Sequence, residues 1–225
     1  MKLLAIDTAA NLCAACVFDG DAGAELGRAV RDIGKGHAEV LMDVVGEALV
    51  AANATYADLG AIAVAVGPGT FTGIRVGVSV ARGLAMALKI PSIGVSTLEA
   101  LAFEAREKHG PQAVLVAIDG GRDGTYAAIY DRFGKIVYAP AVVGMETLAE
   151  LADKAAVLAG TAAASVAEQA SGKGLPIAAP AATADVSAYA RLGLTKDFAG
   201  ERPRPLYLRA PDAKPQAHLA LPRKP

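Results

Sequence analysis

The sequence predicts an α/β fold made of two related lobes. Its opening stretch, "LLAIDTAANLCAACVFD" (3–19), returns 112 residues later as "LVAIDGGRDGTYAAIYD" (115–131). Ala5, Ile6 and Asp7 reappear as Ala117, Ile118 and Asp119, and Ala15 and Asp19 as Ala127 and Asp131. Self-similarity of this length implies a duplicated unit that starts with a β-hairpin. Between the copies, "AIAVAV" (61–66) is a near-continuous apolar run, as expected of a strand buried on both faces of a parallel sheet. A glycine-rich turn and a helical pattern follow it, the strand–turn–helix order of α/β units.

Residues 2–6 and 13–18 read as the strands of the first hairpin, with Asp19-Gly20 as the turn after it and Asp7, Thr8 and Asn11 at its tip. Cys13 and Cys16 spell C-x-x-C, but on a strand an odd separation sends the side chains to opposite faces. With no second ligand pair, they read as buried structural thiols, not a redox or zinc motif. Over 37–53, Leu41, Val44, Val45, Ala48 and Leu49 form an apolar face, and Glu39, Asp43 and Glu47 run down another: an amphipathic helix. Thr55 is placed to cap the next helical turn, with Asp58 inside it. A helix is expected through 76–88, a strand at 91–95, and a helix over 98–107 capped by Ser96 or Thr97. Beyond residue 140, strands are expected at 155–160 and 175–179, and helices at 161–170 and 185–194. The expected organisation is one lobe over 1–105, a smaller one over 106–200, and a Pro-rich tail over 201–225, extended on the surface and partly disordered.

Bulk properties exclude some classes. A formal net charge of −1 and a pI near 6.3 give no sequence-wide attraction to nucleic acid or membrane. The opening residues lack a signal-peptide pattern, and no uninterrupted apolar run is long enough to span a bilayer. A cytoplasmic protein is therefore expected. The turn "GPGTFTGIR" (67–75) lacks the G-K-[ST] ending of a Walker A loop and the spacing of a dinucleotide fingerprint, and no G-x-S-x-G elbow is present. What remains is a tight turn into a helix along which Gly73, Gly77, Ala81 and Ala85 recur every four residues. Such a small-residue stripe serves either internal packing or a protein interface.

Four stretches then combine: "LAIDTA", "GPGTFTGIR", "GVSTLEALA" and "PLYLR", in that order along nearly the whole chain. Together they resemble the bacterial TsaB (YeaZ) family. The resemblance implies an ASKHA (actin-like) fold with two ribonuclease-H-like lobes. It also implies a role in forming threonylcarbamoyladenosine in tRNA, as a non-catalytic partner of the catalytic paralogue TsaD, together with the ATPase TsaE. tRNA would be met through the complex, without a membrane. In that paralogue a stretch like "GVNHMEGH" supplies two metal-binding histidines; here the corresponding positions are Thr97 and Leu101, with Glu99 kept between. Leucine has no donor atom and threonine is a poor ligand, so neither a metal site nor a catalytic residue is expected. His37, His109 and His218 lie far apart, and nothing supports peptidase chemistry.

Asp7 and Thr8 fall where actin-like folds hold phosphate, and Gly120 and Gly121 of "DGGRDGT" (119–125) could imitate the second phosphate loop. Ordinary hairpin turns account for the same residues. The turn reading is preferred, because no lysine or carboxylate cluster accompanies them. ATP or ADP would then belong to the complex and not to this chain alone, and the rival function is a stand-alone ATPase or kinase of the same fold. The partner surface is expected on the helices at 37–52 and 75–88, through His37, Leu41, Val45, Gly73, Gly77, Ala81 and Ala85. A homodimer is the alternative use of that surface when the partner is absent.

Overall fold

The computed structural model describes residues 1–121, 124–170 and 174–208. Its first sheet comprises β1 (Lys2–Asp7), β2 (Leu12–Asp19), β3 (Ala24–Asp32), β4 (Leu59–Ala65) and β5 (Ser92–Val95), in the order β3-β2-β1-β4-β5. The second comprises β6 (Val114–Asp119), β7 (Thr125–Tyr130), β8 (Ile136–Val143), β9 (Val157–Ala159) and β10 (Ile177–Ala179), in the order β10-β9-β6-β7-β8. Read from the opposite edge, the two orders are the same. In each sheet three antiparallel strands are followed by two parallel ones. This is the actin-like fold, with two ribonuclease-H-like lobes related by duplication.

The register refines the repeat. Ala5 pairs with Cys16, whereas Ala117 pairs with Ala127. The structural counterpart of Ala127 is therefore Cys16, not Ala15. The second hairpin is one residue shorter, so the offset of 112 holds for the first strand of each pair and slips on the second. β3 and β8, which the sequence pattern does not announce, are edge strands: β3 is interrupted by Glu25, Arg28, Arg31 and Asp32, and β8 carries Pro140, tolerated where one side of a strand is unpaired.

The helices tie these sheets together. α1 (His37–Ala51) lies on β2 and β3, and α2 (Phe71–Leu88) on β4 with β1 and β5. α3 (Thr97–His109) packs against β6, β9 and β10 of the second sheet. α4 (Met145–Ala152) and α5 (Ala163–Gln169) cover the second sheet's other face. There β6 alternates: Val114 and Val116 belong to the main core, and Leu115 and Ala117 to a smaller core with Leu148 and Val166. α6 (Val186–Leu194), counted with the second lobe by its sequence position, packs on β1, β2, β4 and β5 of the first. Arg28 of β3 holds it there through Asp185, with Nη1 and Oδ2 2.8 Å apart.

Local details follow the sequence closely in places. The backbone N–H of Thr55 donates to Asp58 Oδ2 at 2.8 Å, forming a reciprocal capping box. Cys13 and Cys16 are free and buried on β2, and burial pushes the Cys13 thiol up to about 11 and that of Cys16 further still. Neither is a reactive thiolate. α2 is long and apolar enough by composition to cross a membrane, but its small-residue stripe is occupied by the protein's own sheet.

Candidate functional site

Where the first hairpin tip, the glycine turn and the end of β6 converge, a cleft of about 830 Å³ opens. Ala9, Ala10 and Asn11 form one wall, Pro68 to Phe71 with Ile74 and Arg75 another, and Ile118, Asp119, Gly120 and Tyr126 the opposite side. A volume of this size suits a small ligand, and the lining is mostly apolar, with few polar groups. Arg75 is its one cation among the described residues.

Asp7 and Thr8 lie beneath this cleft, not in it. Asp7 is 1% exposed, and its carboxylate accepts the backbone N–H of Ala9 at 2.9 Å. Burial pushes that carboxyl up to about 6, partly offset by Ala9 and by a hydrogen bond from the Thr183 hydroxyl. No cation is among the groups acting on it. Thr8 is fully buried, and its hydroxyl donates to the Gly73 carbonyl at 2.7 Å. The glycines of the turn make this approach feasible. A Cβ at Gly73 would sit 2.0 Å from the Thr8 carbonyl oxygen, and one at Gly69 2.2 Å from that of Ala9. The turn thus seats the start of α2 directly on the hairpin backbone.

Of the nucleotide candidates, Gly120 reaches the cleft. Gly121 serves a turn, its N–H donating to Asp119 Oδ1 at 2.8 Å with φ at 77°. Residues 122 and 123 of that loop lie outside the described residues, as do His218 and the tail over 209–225. Thr97 and Leu101, at the paralogue's metal positions, are both fully buried. Glu99 between them is held by Lys196, whose Nζ lies 2.9 Å from each carboxylate oxygen. Among the described residues no three His, Cys, Asp or Glu side chains gather as a metal site would require.

The expected partner-facing residues require correction. His37, Leu41 and Val45 are on the buried face of α1. The His37 ring Nε2 lies 3.2 Å from the Leu12 carbonyl oxygen, so it ties α1 to β2 and caps no helix. Gly73, Gly77, Ala81 and Ala85 face inward as well, with Gly77 against Thr8 and Val64. The physical reason is common to both helices: the apolar or small stripe is what lets a helix lie on a sheet, so the lobe's own sheet takes it. What both helices leave in solvent is the opposite face. Phe71 is 54% exposed, Met86 77% and Val50 81%, with Met42 also exposed. A groove of about 430 Å³ lies between Ala38 at the start of α1 and Phe71, Arg75, Val76, Ser79 and Val80 of α2.

A further cluster joins the groove to the cleft. Arg75 lays its guanidinium over the Phe71 ring, 3.6 Å from Cζ to the centroid, and donates from Nε to the Tyr207 hydroxyl at 2.6 Å. Phe71 and Arg75 stand one helical turn apart, a spacing visible in the sequence. Tyr207 is remote, and no local signal connects it to them. It arrives because the Leu206 N–H donates to the Val66 carbonyl at 2.7 Å and buried Pro203 sits over Gly94. The described part of the tail is thus docked against the end of β4.

A family model described as TsaD, tRNA N6-adenosine threonylcarbamoyltransferase, matches residues 31–201. The Escherichia coli tRNA threonylcarbamoyladenosine biosynthesis protein TsaB is 38% identical over 133 residues, 59% of this chain and 56% of that protein. The match therefore spans little more than half the length of that relative. A Mycobacterium tuberculosis protein described as uncharacterized is 34% identical over 96% of this chain and 95% of its own. The solved structure of YeaZ from Pseudomonas aeruginosa superposes with a TM-score of 0.74 at 30% identity, covering 92% of this chain and 99% of that one.

Proposed function

The chain belongs to the TsaB (YeaZ) family, and from that premise we propose that it is the non-catalytic partner subunit in tRNA threonylcarbamoyladenosine biosynthesis. In this reading it docks onto the catalytic paralogue TsaD, with the ATPase TsaE joining the assembly and tRNA meeting the complex as a whole. The observation that carries the proposal is the pair of faces on α1 and α2. Their inner stripes are used up by the protein's own sheet, and their outer faces carry Met42, Val50, Phe71 and Met86 in solvent. Large apolar side chains left in solvent on the outward faces of two adjacent helices favour a protein partner. The charges beside them differ in sign: α1 exposes Glu39, Asp43 and Glu47, and α2 exposes Arg75 and Arg82. A partner would match an acidic flank and a basic one, which favours a specific orientation.

The interior supports the non-catalytic half of the reading. Leu101 has no donor atom, Thr97 is sealed in the core, and Asp7 is buried without a cation. A stand-alone ATPase or kinase would need phosphate-binding groups open to the cleft. In this proposal any ATP or ADP is handled by the assembled complex. Mixing the purified protein with TsaD from the same organism tests both halves together. A stoichiometric complex on sizing, with no ATP turnover by this chain alone, is expected. Turnover by the chain alone that is abolished in Asp7→Ala would favour the kinase reading instead.

A further inference from the structure

The cleft and the helix groove are separate cavities that share a wall, and that wall is Phe71 and Arg75. Both side chains are solvent-exposed, and both belong to the first turns of α2. A long, exposed Arg ordinarily samples many rotamers, and ordering it on binding has an entropic cost. Here one conformation is already selected from outside the helix. Tyr207 accepts the Arg75 Nε–H at 2.6 Å, its ring centroid lies 5.6 Å from that of Phe71, and the Arg75 Cζ lies 5.5 Å from the Tyr207 centroid. The three side chains close a triangle in which each touches the other two. Two of them line the groove, and the third does not.

Tyr207 is itself anchored independently of the triangle, through the Leu206–Val66 hydrogen bond and the seating of Pro203 over Gly94. The anchor belongs to the end of β4 and β5, not to α2. Force on the triangle therefore comes from the sheet, through the C-terminal strap over 203–208, onto the exposed rim of the groove. Tyr and Arg are enriched in binding hot spots, and Phe is enriched at interfaces.

We propose that Tyr207 is a positioning residue for partner docking: by clamping Arg75 against Phe71 it preorganises the α1/α2 groove, so the affinity of that face depends on the strap being seated. The proposal rests on the docking reading above and names what regulates that face. The occupant is a protein segment presenting a carboxylate to Arg75, whose guanidinium keeps its terminal nitrogens outside the Tyr207 bond. Removing Tyr207 leaves the groove residues in place and releases the Arg75 rotamer, with the loss felt in affinity and not in the fold.

The test uses the full chain and TsaD from the same organism. Binding is titrated for the wild type, Tyr207→Phe, Tyr207→Ala, Arg75→Lys and the Tyr207→Phe/Arg75→Lys double variant, and melting of each free chain is recorded. The expected result is roughly tenfold weaker binding for Tyr207→Ala and a smaller loss, about threefold, for Tyr207→Phe, which keeps the ring and loses the hydroxyl. Tyr207→Phe should melt as the wild type does. The double variant should bind no worse than Arg75→Lys alone, because the hydroxyl acts only through Arg75. Wild-type binding with unchanged affinity in both Tyr207 variants would overturn the positioning role and leave the docking reading intact. Strictly additive losses in the double variant would overturn the route through Arg75. No binding by the wild type would overturn the docking reading itself, and the positioning role with it.

Discussion

Asp7 is an acid placed where burial raises its proton affinity and no cation lowers it. Its folded-state value is pushed up from an ordinary 3.8 to about 6. Between those values the folded chain holds a proton that the unfolded chain has released. The contribution is thus fully present below about pH 4, falls as pH rises toward 6, and stays lost above that. At neutral pH the buried carboxylate costs on the order of 1–3 kcal/mol. Asp7→Asn keeps an oxygen for the Ala9 N–H and removes the charge. It is expected to melt higher than the wild type at pH 7.5, with the difference shrinking to near zero by pH 4. Asp58 and Asp131, held below the usual range mainly by backbone N–H donors, act with the opposite sign at lower pH, so the informative quantity is variant minus wild type. A gap that widens on acidification would contradict this account. At the same scale, Thr97 and Leu101 offer a metal nothing to bind, so elemental analysis of purified protein is expected to find no stoichiometric iron or zinc.

α2 is an element with two faces doing different work. Its inward stripe lets the helix approach β1 and β4 closely, and Ala81 is fully buried on it. Ala81→Leu inserts three heavy atoms where the sheet allows none, an overpacking that costs roughly 1–3 kcal/mol. The free protein should accordingly melt lower by several degrees, at about 2–4 °C per kcal/mol for a chain of this size. Its outward face tolerates change, because Met86 is mostly in solvent. Met86→Lys is expected to leave melting within about a degree of wild type and to weaken association with TsaD. Calorimetry and a binding titration on the two variants separate the faces: fold stability responds to one and association to the other. Equal melting of Ala81→Leu and wild type would mean the stripe is not in the core.

At the scale of the whole molecule, two copies of one sheet topology are joined by α3 and by α6, which returns from the second copy to lie on the first sheet. The joint places buried Thr183 and Tyr189 beside Asp7, with buried Thr97 against Tyr189. A nucleotide-driven actin-like enzyme needs its phosphate-binding tips open to the cleft, and here the first tip is closed over its acid. The function proposed from this arrangement is assembly, and its cellular consequence is measurable. Depleting the protein should lower threonylcarbamoyladenosine in total tRNA, read by mass spectrometry of digested nucleosides, and restoring the gene should recover it. Unchanged modification in a clean depletion strain would count decisively against the assignment.

The repeated hairpin, the buried parallel strand read at 61–66, the cap at Thr55 and the strand placement of Cys13 and Cys16 are all legible in the sequence, because each depends on spacing within a few residues or on a repeat. The same holds for the poor ligands at Thr97 and Leu101, since donor chemistry belongs to the residue type. The edge strands β3 and β8 escape such reading for different reasons: charged residues break up the apolar pattern of β3, and Pro140 interrupts the apolar run of β8. Which face of α1 and α2 meets the sheet was decided only in three dimensions. A stripe of small or apolar residues is equally suited to an internal sheet and to a partner, and periodicity does not distinguish the two. Tyr207 meets Arg75 across 132 positions of sequence, and Asp7 loses its access to the cleft because the hairpin tip folds over it. Both outcomes depend on long-range packing, and for that reason the tertiary structure alone determined them.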